Sequence, residues 1–422
     1  MFTIQRLEAM EILDSRGRPT VQATCHLASG ASASASVPSG ASTGTAEALE
    51  LRDNDPRRYH GKGCQKAVSH VNGPIREALA GRTLASQQEL DDALIALDGT
   101  PNKSRLGANA ILAVSVAFAR AAAAQRSVPL YQHFADLLGQ PVQTMPRLTV
   151  NLFSGGKHAG QQVAIQDVLV VPTAARTIDE SLVMVHNVYH AAAQLILQRY
   201  GMRLLTADEG GLAPPCQSEE AMIQEATEAI RQAGYEPGRD FALALDVASS
   251  HFYRDGRYHL GGRALTSREM IDLLRSWVER YPIVSVEDGL AEEDWEHWPL
   301  LRDAISGRAL VLGDDLLCTQ PKRISRAVKT NACNALLLKV NQVGTLSESI
   351  QAYRLARQAG WHITLSVRSG ETEDHWAADL AVGWSADQFK NGSITQSERL
   401  AKYNRLLAVE AQHPLPIVRW PA

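Results

Sequence analysis

The sequence predicts an α/β protein: a closed (β/α)8 barrel of the TIM type over residues 139–422, capped by a smaller N-terminal α+β domain over residues 1–138. Three observations predict it. From about Pro146 onward, short β-branched runs alternate with amphipathic helical stretches, over a length that suits a barrel of roughly 250 residues. Before that point the order differs, with strands first and helices after. The rival architecture, an open doubly wound sheet, normally carries a GxGxxG or GxxxxGKS/T phosphate loop, and neither pattern occurs.

In the N-terminal part, residues 2–7, 20–27 and 33–37 alternate apolar and polar side chains, as antiparallel strands with one covered face do. Pro38-Ser39-Gly40-Ala41-Ser42-Thr43-Gly44 has too many small residues to hold a regular conformation alone and reads as a mobile loop. Helical periodicity then runs over 65–138, including 107–125. In the barrel, strands are expected at 148–152, 168–171, 241–245, 283–286, 309–312, 335–338 and 362–365, with a last one ending at Lys390, and all are taken as parallel. Helical stretches at 178–199, 218–233, 267–281, 346–359 and 397–410 separate most of them.

Composition narrows the function. With 45% hydrophobic and 21% charged residues the chain can build a core and is not disordered. A net charge of −4 creates no field for nucleic acid, so an anionic ligand has to be held by local cations. The five cysteines form no CxxC pair, which points to reduced thiols and a cytoplasmic setting. The N-terminus meets Arg6 and Glu8 before any long apolar stretch, so no signal peptide is expected. No run is expected to reach the roughly 18 apolar residues of a membrane span.

The informative residues are those that follow the strands. Leu245 is followed by Asp246, Val286 by Glu287, Leu312-Gly313 by Asp314, and Leu338 by Lys339. Strand ends of a parallel barrel converge on one mouth, where three carboxylates make an all-oxygen site for a hard cation such as Mg²⁺. One such acid alone reads as a helix cap; three in equivalent positions do not. Lys339, emerging beside them, reads as a base whose pKa burial and neighbouring cations lower. Lys390 is placed to neutralise a substrate carboxylate. Asp208-Glu209-Gly210-Gly211 offers a general acid on a deformable loop, and His158 lies on the glycine-rich loop 154–160. A lone histidine is more often structural, so His158 counts only in this company. Arg368 and Ser369, beside Gly370 and an expected helix start, suit a phosphate.

Jointly these segments resemble enolase, from the N-terminus to about residue 406. The specific blocks are Asp14-Ser15-Arg16-Gly17, PSGASTG at 38–44, EALELRD at 47–53, GANAILAVS at 107–115, DEGG at 208–211, VEDGL at 286–290, GDDL at 313–316, RSGETED at 368–374 and AKYN at 401–404. The resemblance implies Mg²⁺ ligation by Asp246, Glu287 and Asp314, Lys339 as base and Glu209 as acid, with His158 and Asp167 as further catalytic candidates. It implies Lys390 on an aci-carboxylate intermediate, and Arg368 and Ser369 on the phosphate. Ser39 would meet a second Mg²⁺ that bridges to that phosphate. The wider superfamily's Lys-x-Lys pair after the second barrel strand is not found; that region reads Ala164-Ile165-Gln166-Asp167.

Two positions depart from the family pattern. Val367 stands where enolases have His, and Asp167, after the substrate-shell Gln166, stands where they have Glu. Three readings follow: a dehydratase interconverting 2-phosphoglycerate and phosphoenolpyruvate; a relative from a phosphonate pathway that forms carboxyphosphonoenolpyruvate from a phosphonoformylated glycerate; or a non-catalytic scaffold. Retention of every expected ligand, acid and base argues against the third. A homodimer is implied by resemblance alone.

Overall fold

Strands β1 (Phe2–Leu13) and β2 (Pro19–Leu27) form an antiparallel pair. The turn between them is set by Asp14, whose carboxylate accepts the amides of Arg16 and Arg18, and by Gly17 at φ +66°. Strand β3 (Ser32–Ser36) adds to β2 and the short β4 (Thr83–Leu84) to β1, giving the order β3-β2-β1-β4. The computed structural model describes residues 1–41, 43–201 and 205–421.

The expected helices are α1 (Gln65–His70), α2 (Arg76–Leu79), α3 (Gln87–Asp98), α4 (Ala108–Gln125) and α5 (Leu130–Leu138). Helix α4 packs on β2 and β3 as the spine of this domain. By length and composition it is a candidate span, with 18 residues of mean hydropathy 1.3, which corrects the sequence expectation. Its window is 83% buried inside the protein, so it is a core helix. Small alanines on all sides let sheet and neighbouring helices approach it closely.

The barrel opens with β5 (Arg147–Ser154) and β6 (Asp167–Val171). Helices α6 (Ile178–Tyr200) and α7 (Glu219–Gln232) follow together before β7 (Ala242–Asp246). A small antiparallel sheet of β8 (Tyr253–Arg254), β9 (Arg257–Leu260) and β10 (Arg263–Leu265) precedes α8 (Ser267–Arg280). Then come β11 (Ile283–Glu287), α9 (Trp298–Ile305), β12 (Leu310–Gly313), α10 (Pro321–Thr330), β13 (Ala335–Leu338) and α11 (Leu346–Gln358). The chain finishes with β14 (His362–Ser366), α12 (Trp376–Gly383), β15 (Gln388–Lys390) and α13 (Ser397–Gln412). Eight strands close in the order β11-β12-β13-β14-β15-β5-β6-β7.

One strand departs from the all-parallel expectation. β6 runs antiparallel to both neighbours, with Ser154 opposite Asp167 and Asp167 opposite Asp246. The link over residues 155–166 holds only a short 3-10 turn at Gly156–His158, and a parallel return needs a longer crossover, usually a helix. The reversal brings the first residue of β6, rather than its last, to the mouth. A second correction concerns Gly370: no helix starts there, and α12 begins only at Trp376.

Inside the barrel, alternate residues fill the floor: Leu169 and Val171, Ala242 and Ala244, Leu310 and Leu312, Ala335 and Leu337, closed by Trp420. Buried Arg147 donates to the carbonyls of Pro172, Ala175, Val418 and Trp420, so its charge carries its own acceptors. Polar residues therefore concentrate at the other end.

Candidate active site

At the mouth, Asp246 and Glu287 end β7 and β11, while Asp314 follows β12 by one residue. Lys390, the last residue of β15, reaches across and donates to Asp246 Oδ2 at 2.7 Å and Glu287 Oε2 at 2.6 Å. Gln166 Nε2 adds a bond to Asp246 Oδ2 at 3.1 Å. Burial opposes the Asp246 charge, but Lys390 outweighs it and holds the carboxyl at about 2. For Glu287 burial and Asp246 win, and its pKa is raised well above its ordinary value. Glu287 Oε1 is buried without a hydrogen-bond partner.

Lys339 follows β13 and donates to Asp314 Oδ2 at 2.5 Å; Gln342 Nε2 donates to Asp314 Oδ1 at 2.8 Å. Burial alone lowers a lysine pKa, as the sequence suggests, but Asp314 outweighs it and the Lys339 pKa is raised. The correction has a simple cause: Asp314 is itself the lysine's nearest partner.

On the opposite wall, His158 Nδ1 pairs with Asp167 Oδ2 at 2.9 Å, and its Nε2 lies 3.6 Å from Glu209 Oε1. Ser154 donates to Asp167 Oδ1 at 2.6 Å and Asn151 to Glu209 Oε2 at 3.1 Å. Burial opposes a charge on His158, but Asp167 and Glu209 push its pKa up to about 9. Burial also raises Asp167, whereas His158 and Arg399 hold Glu209 below its ordinary value.

The residues expected to hold a phosphate are placed less simply. The Arg368 guanidinium donates to Glu47 Oε2 at 2.9 Å and Oε1 at 3.3 Å, and to Asn341 Oδ1 at 3.2 Å. Ser369 Oγ accepts from Arg16 at 2.9 Å. Ser39 does not join the carboxylates: its hydroxyl donates to Asp14 at 2.7 Å and accepts from Arg16 at 2.8 Å, and its backbone bridges to Gly370. The Ser39 hydroxyl is thus engaged by Asp14 and Arg16. Ser42, of the same loop, lies outside the described residues. Val367 is buried between β14 and Arg368, with its amide on the Lys390 carbonyl.

Sequence reasoning assigned no role to Asn151, Ser154, Gln342, Glu47, Asn341, Asp14 or Arg16. A signal existed for two of them: Asn151 and Ser154 are polar residues in β5, a strand buried at every position.

A hard cation fits this donor set. Three carboxylates meet at one end, one oxygen of Glu287 has no partner, and lysines neutralise the others. Among the described residues the tightest possible ligand groups, with atoms within 4.8 Å of one another, are Asp288–Asp314–Asp315 and His158–Asp167–Glu209. In the first, Asp288 accepts the amides of Asp314 at 2.9 Å and Asp315 at 2.7 Å, which shapes the loop.

Comparison with known families gives two matches. The description "Enolase, N-terminal domain" fits residues 4–134, and "Enolase, C-terminal TIM barrel domain" fits residues 142–414. Between them they span nearly all of the fold described above, including every residue at the mouth. The chain belongs to the enolase family and is a dehydratase of the enolase superfamily.

Proposed function

We propose that this enzyme is an Mg²⁺-dependent hydro-lyase that removes water from 2-phosphoglycerate to give phosphoenolpyruvate, reversibly, through an aci-carboxylate intermediate. One observation carries the reading: β13 and β6 stand four apart in an eight-strand ring, so Lys339 and the Asp167–His158–Glu209 set face each other across the mouth. Elimination of a proton and a hydroxide from adjacent carbons uses such a separated base and acid.

In this reading Lys339 removes the proton beside the substrate carboxylate, and Lys390 balances the charge that builds there. The proton for the departing hydroxyl comes from Glu209 and His158, held by Asn151 and Asp167. Arg368, with Ser369, receives the phosphate. Asp246, Glu287 and Asp314 would hold Mg²⁺, two ions per site in the family pattern. When bound, Mg²⁺ supplies positive charge to the substrate carboxylate and competes with Lys339 and Lys390 for their partners. Buried free thiols at all five cysteines support a cytoplasmic enzyme, which we expect to be a homodimer or larger homo-oligomer.

Val367 favours a second reading, a glycerate with a larger phosphorus substituent such as a phosphonoformyl group. It puts a short apolar branch beside Arg368, and Asp167 withdraws its carboxylate by one methylene. The test is steady-state turnover of both substrates with Mg²⁺. Turnover of 2-phosphoglycerate at the rate of ordinary enolases excludes the second reading, and no turnover of it excludes the first.

A further inference from the structure

Arg368 and Glu47 lie on different domains, and their side chains are 3% and 7% exposed. An arginine this buried is costly to leave without an anion, yet the phosphate it is meant to hold is present only during turnover. The structure supplies an anion of its own. Glu47 takes both terminal nitrogens of Arg368 side by side, the fork geometry in which a guanidinium meets carboxylate or phosphate. The same Glu47 Oε1 accepts the Gly44 amide at 3.0 Å and lies 3.5 Å from Gln342 Nε2, which also bonds Asp314.

Glu47 also has somewhere else to go. It lines a cavity of about 560 Å³ whose walls include Arg16, Arg18, Arg52 and Lys62, together with Glu50, which pairs with Arg52. Among the described residues the Arg18 guanidinium makes no hydrogen bond or ion pair.

We propose that Glu47 is a stand-in for the substrate phosphate: it occupies Arg368 in the empty site and is displaced into the basic cavity when the phosphate binds. This rests on the reading of Arg368 as the phosphate residue. Glu47 is thus a positioning residue that sets anion affinity, since every phosphate bound has to replace a carboxylate. A purely structural ion pair makes the opposite demand, because its loss leaves Arg368 misplaced and weakens anion binding.

The experiment is calorimetric titration of inorganic phosphate into the full-length, Mg²⁺-loaded protein, wild type and Glu47→Gln. The amide keeps the size and one acceptor but is the weaker competitor, so phosphate is expected to bind about tenfold tighter, the difference between a charge-assisted and a neutral bond. Equal or weaker binding by the variant, or no binding by the wild type, overturns the proposal. A second measurement uses the wild type alone. Phosphate is expected to speed amide hydrogen exchange at Gly44, because its acceptor leaves; unchanged or slower exchange there overturns the proposal without any variant. Turnover of 2-phosphoglycerate is followed in parallel. A tenfold gain without turnover removes the substrate reading and leaves the Glu47 exchange standing, and turnover without the gain does the reverse.

Discussion

Replacing Lys390 by methionine is expected to destabilise the metal-free protein more than almost any other single change at the mouth. The ammonium bridges Asp246 and Glu287 at 2.7 and 2.6 Å, and both carboxylate side chains are 4% exposed. Removing one partner of a buried pair typically costs about 3–5 kcal/mol, because the remaining charge is left uncompensated. Here two carboxylates are left. Glu287 limits the loss: its pKa is already raised by burial and by Asp246, so without Lys390 it takes up a proton. The lower end, about 3 kcal/mol, is therefore expected, a fall of roughly 3–4 °C in Tm for a chain of this length. The pH dependence follows. A carboxyl with a raised folded pKa binds its proton more tightly folded than unfolded. The variant's deficit is thus smallest near the ordinary carboxylate pKa and grows as pH rises toward the raised value. Thermal unfolding in EDTA at pH 5 and pH 8 measures it, and repetition at saturating Mg²⁺ is expected to shrink the deficit, since a cation then neutralises the same oxygens. A variant as stable as wild type in EDTA, or a deficit that Mg²⁺ leaves untouched, refutes the electrostatic account of Lys390.

Other substitutions separate the remaining roles. Lys339→Ala is expected to lose exchange of the substrate α-hydrogen with solvent, while Glu209→Gln keeps exchange but loses elimination; NMR in D₂O reads both, and normal exchange in the first variant removes Lys339 as base. Gln342→Ala frees Asp314 Oδ1 and is expected to weaken Mg²⁺ binding about 10–100-fold by titration, the usual cost of losing a group that orients a ligand. The folded His158 pKa is raised to about 9, so the stability its charge contributes is fully present below about 6.5 and is lost as pH rises through about 9. His158→Gln is expected to flatten that stretch of the stability profile, and an unchanged slope counts against the Asp167–His158–Glu209 set. Val367→His adds a donor beside Arg368. If the native substrate carries a larger phosphorus group, the change is expected to raise 2-phosphoglycerate turnover and lower turnover of the larger substrate by about tenfold to a hundredfold, from the roughly 1.5–3 kcal/mol of a bond to a charged group. A gain on one substrate with no loss on the other refutes that specialisation.

Much of the site was legible because Asp246, Glu287, Asp314 and Lys339 each break an apolar run at the point where a strand must end. The direction of β6 was not, since Val168 to Val171 are buried and look the same read either way. That reversal is what turns Asp167 into a mouth residue, and the link too short for a crossover was its available sign. The Ser39 hydroxyl's partners were not legible either: Ser39 and Ser42 lie three residues apart among small residues, and nothing local says that Ser39 packs on Asp14 and Arg16. The Lys339 pKa had the wrong sign because burial was visible and the 2.5 Å contact with Asp314 was not. Glu47 and Arg368 are separated by 321 positions, and no periodicity links them.

The mouth is not the property of the barrel. Arg16 reaches Ser369 and Glu47 reaches Arg368, so this side of the mouth is built jointly by the first and last thirds of the chain. A recombination that joined residues 1–138 of one relative to the barrel of another could leave each half folded and still separate Arg368 from the carboxylate fitted to it. At the mouth the two domains are thus coupled by side-chain contacts as well as by the linker between them.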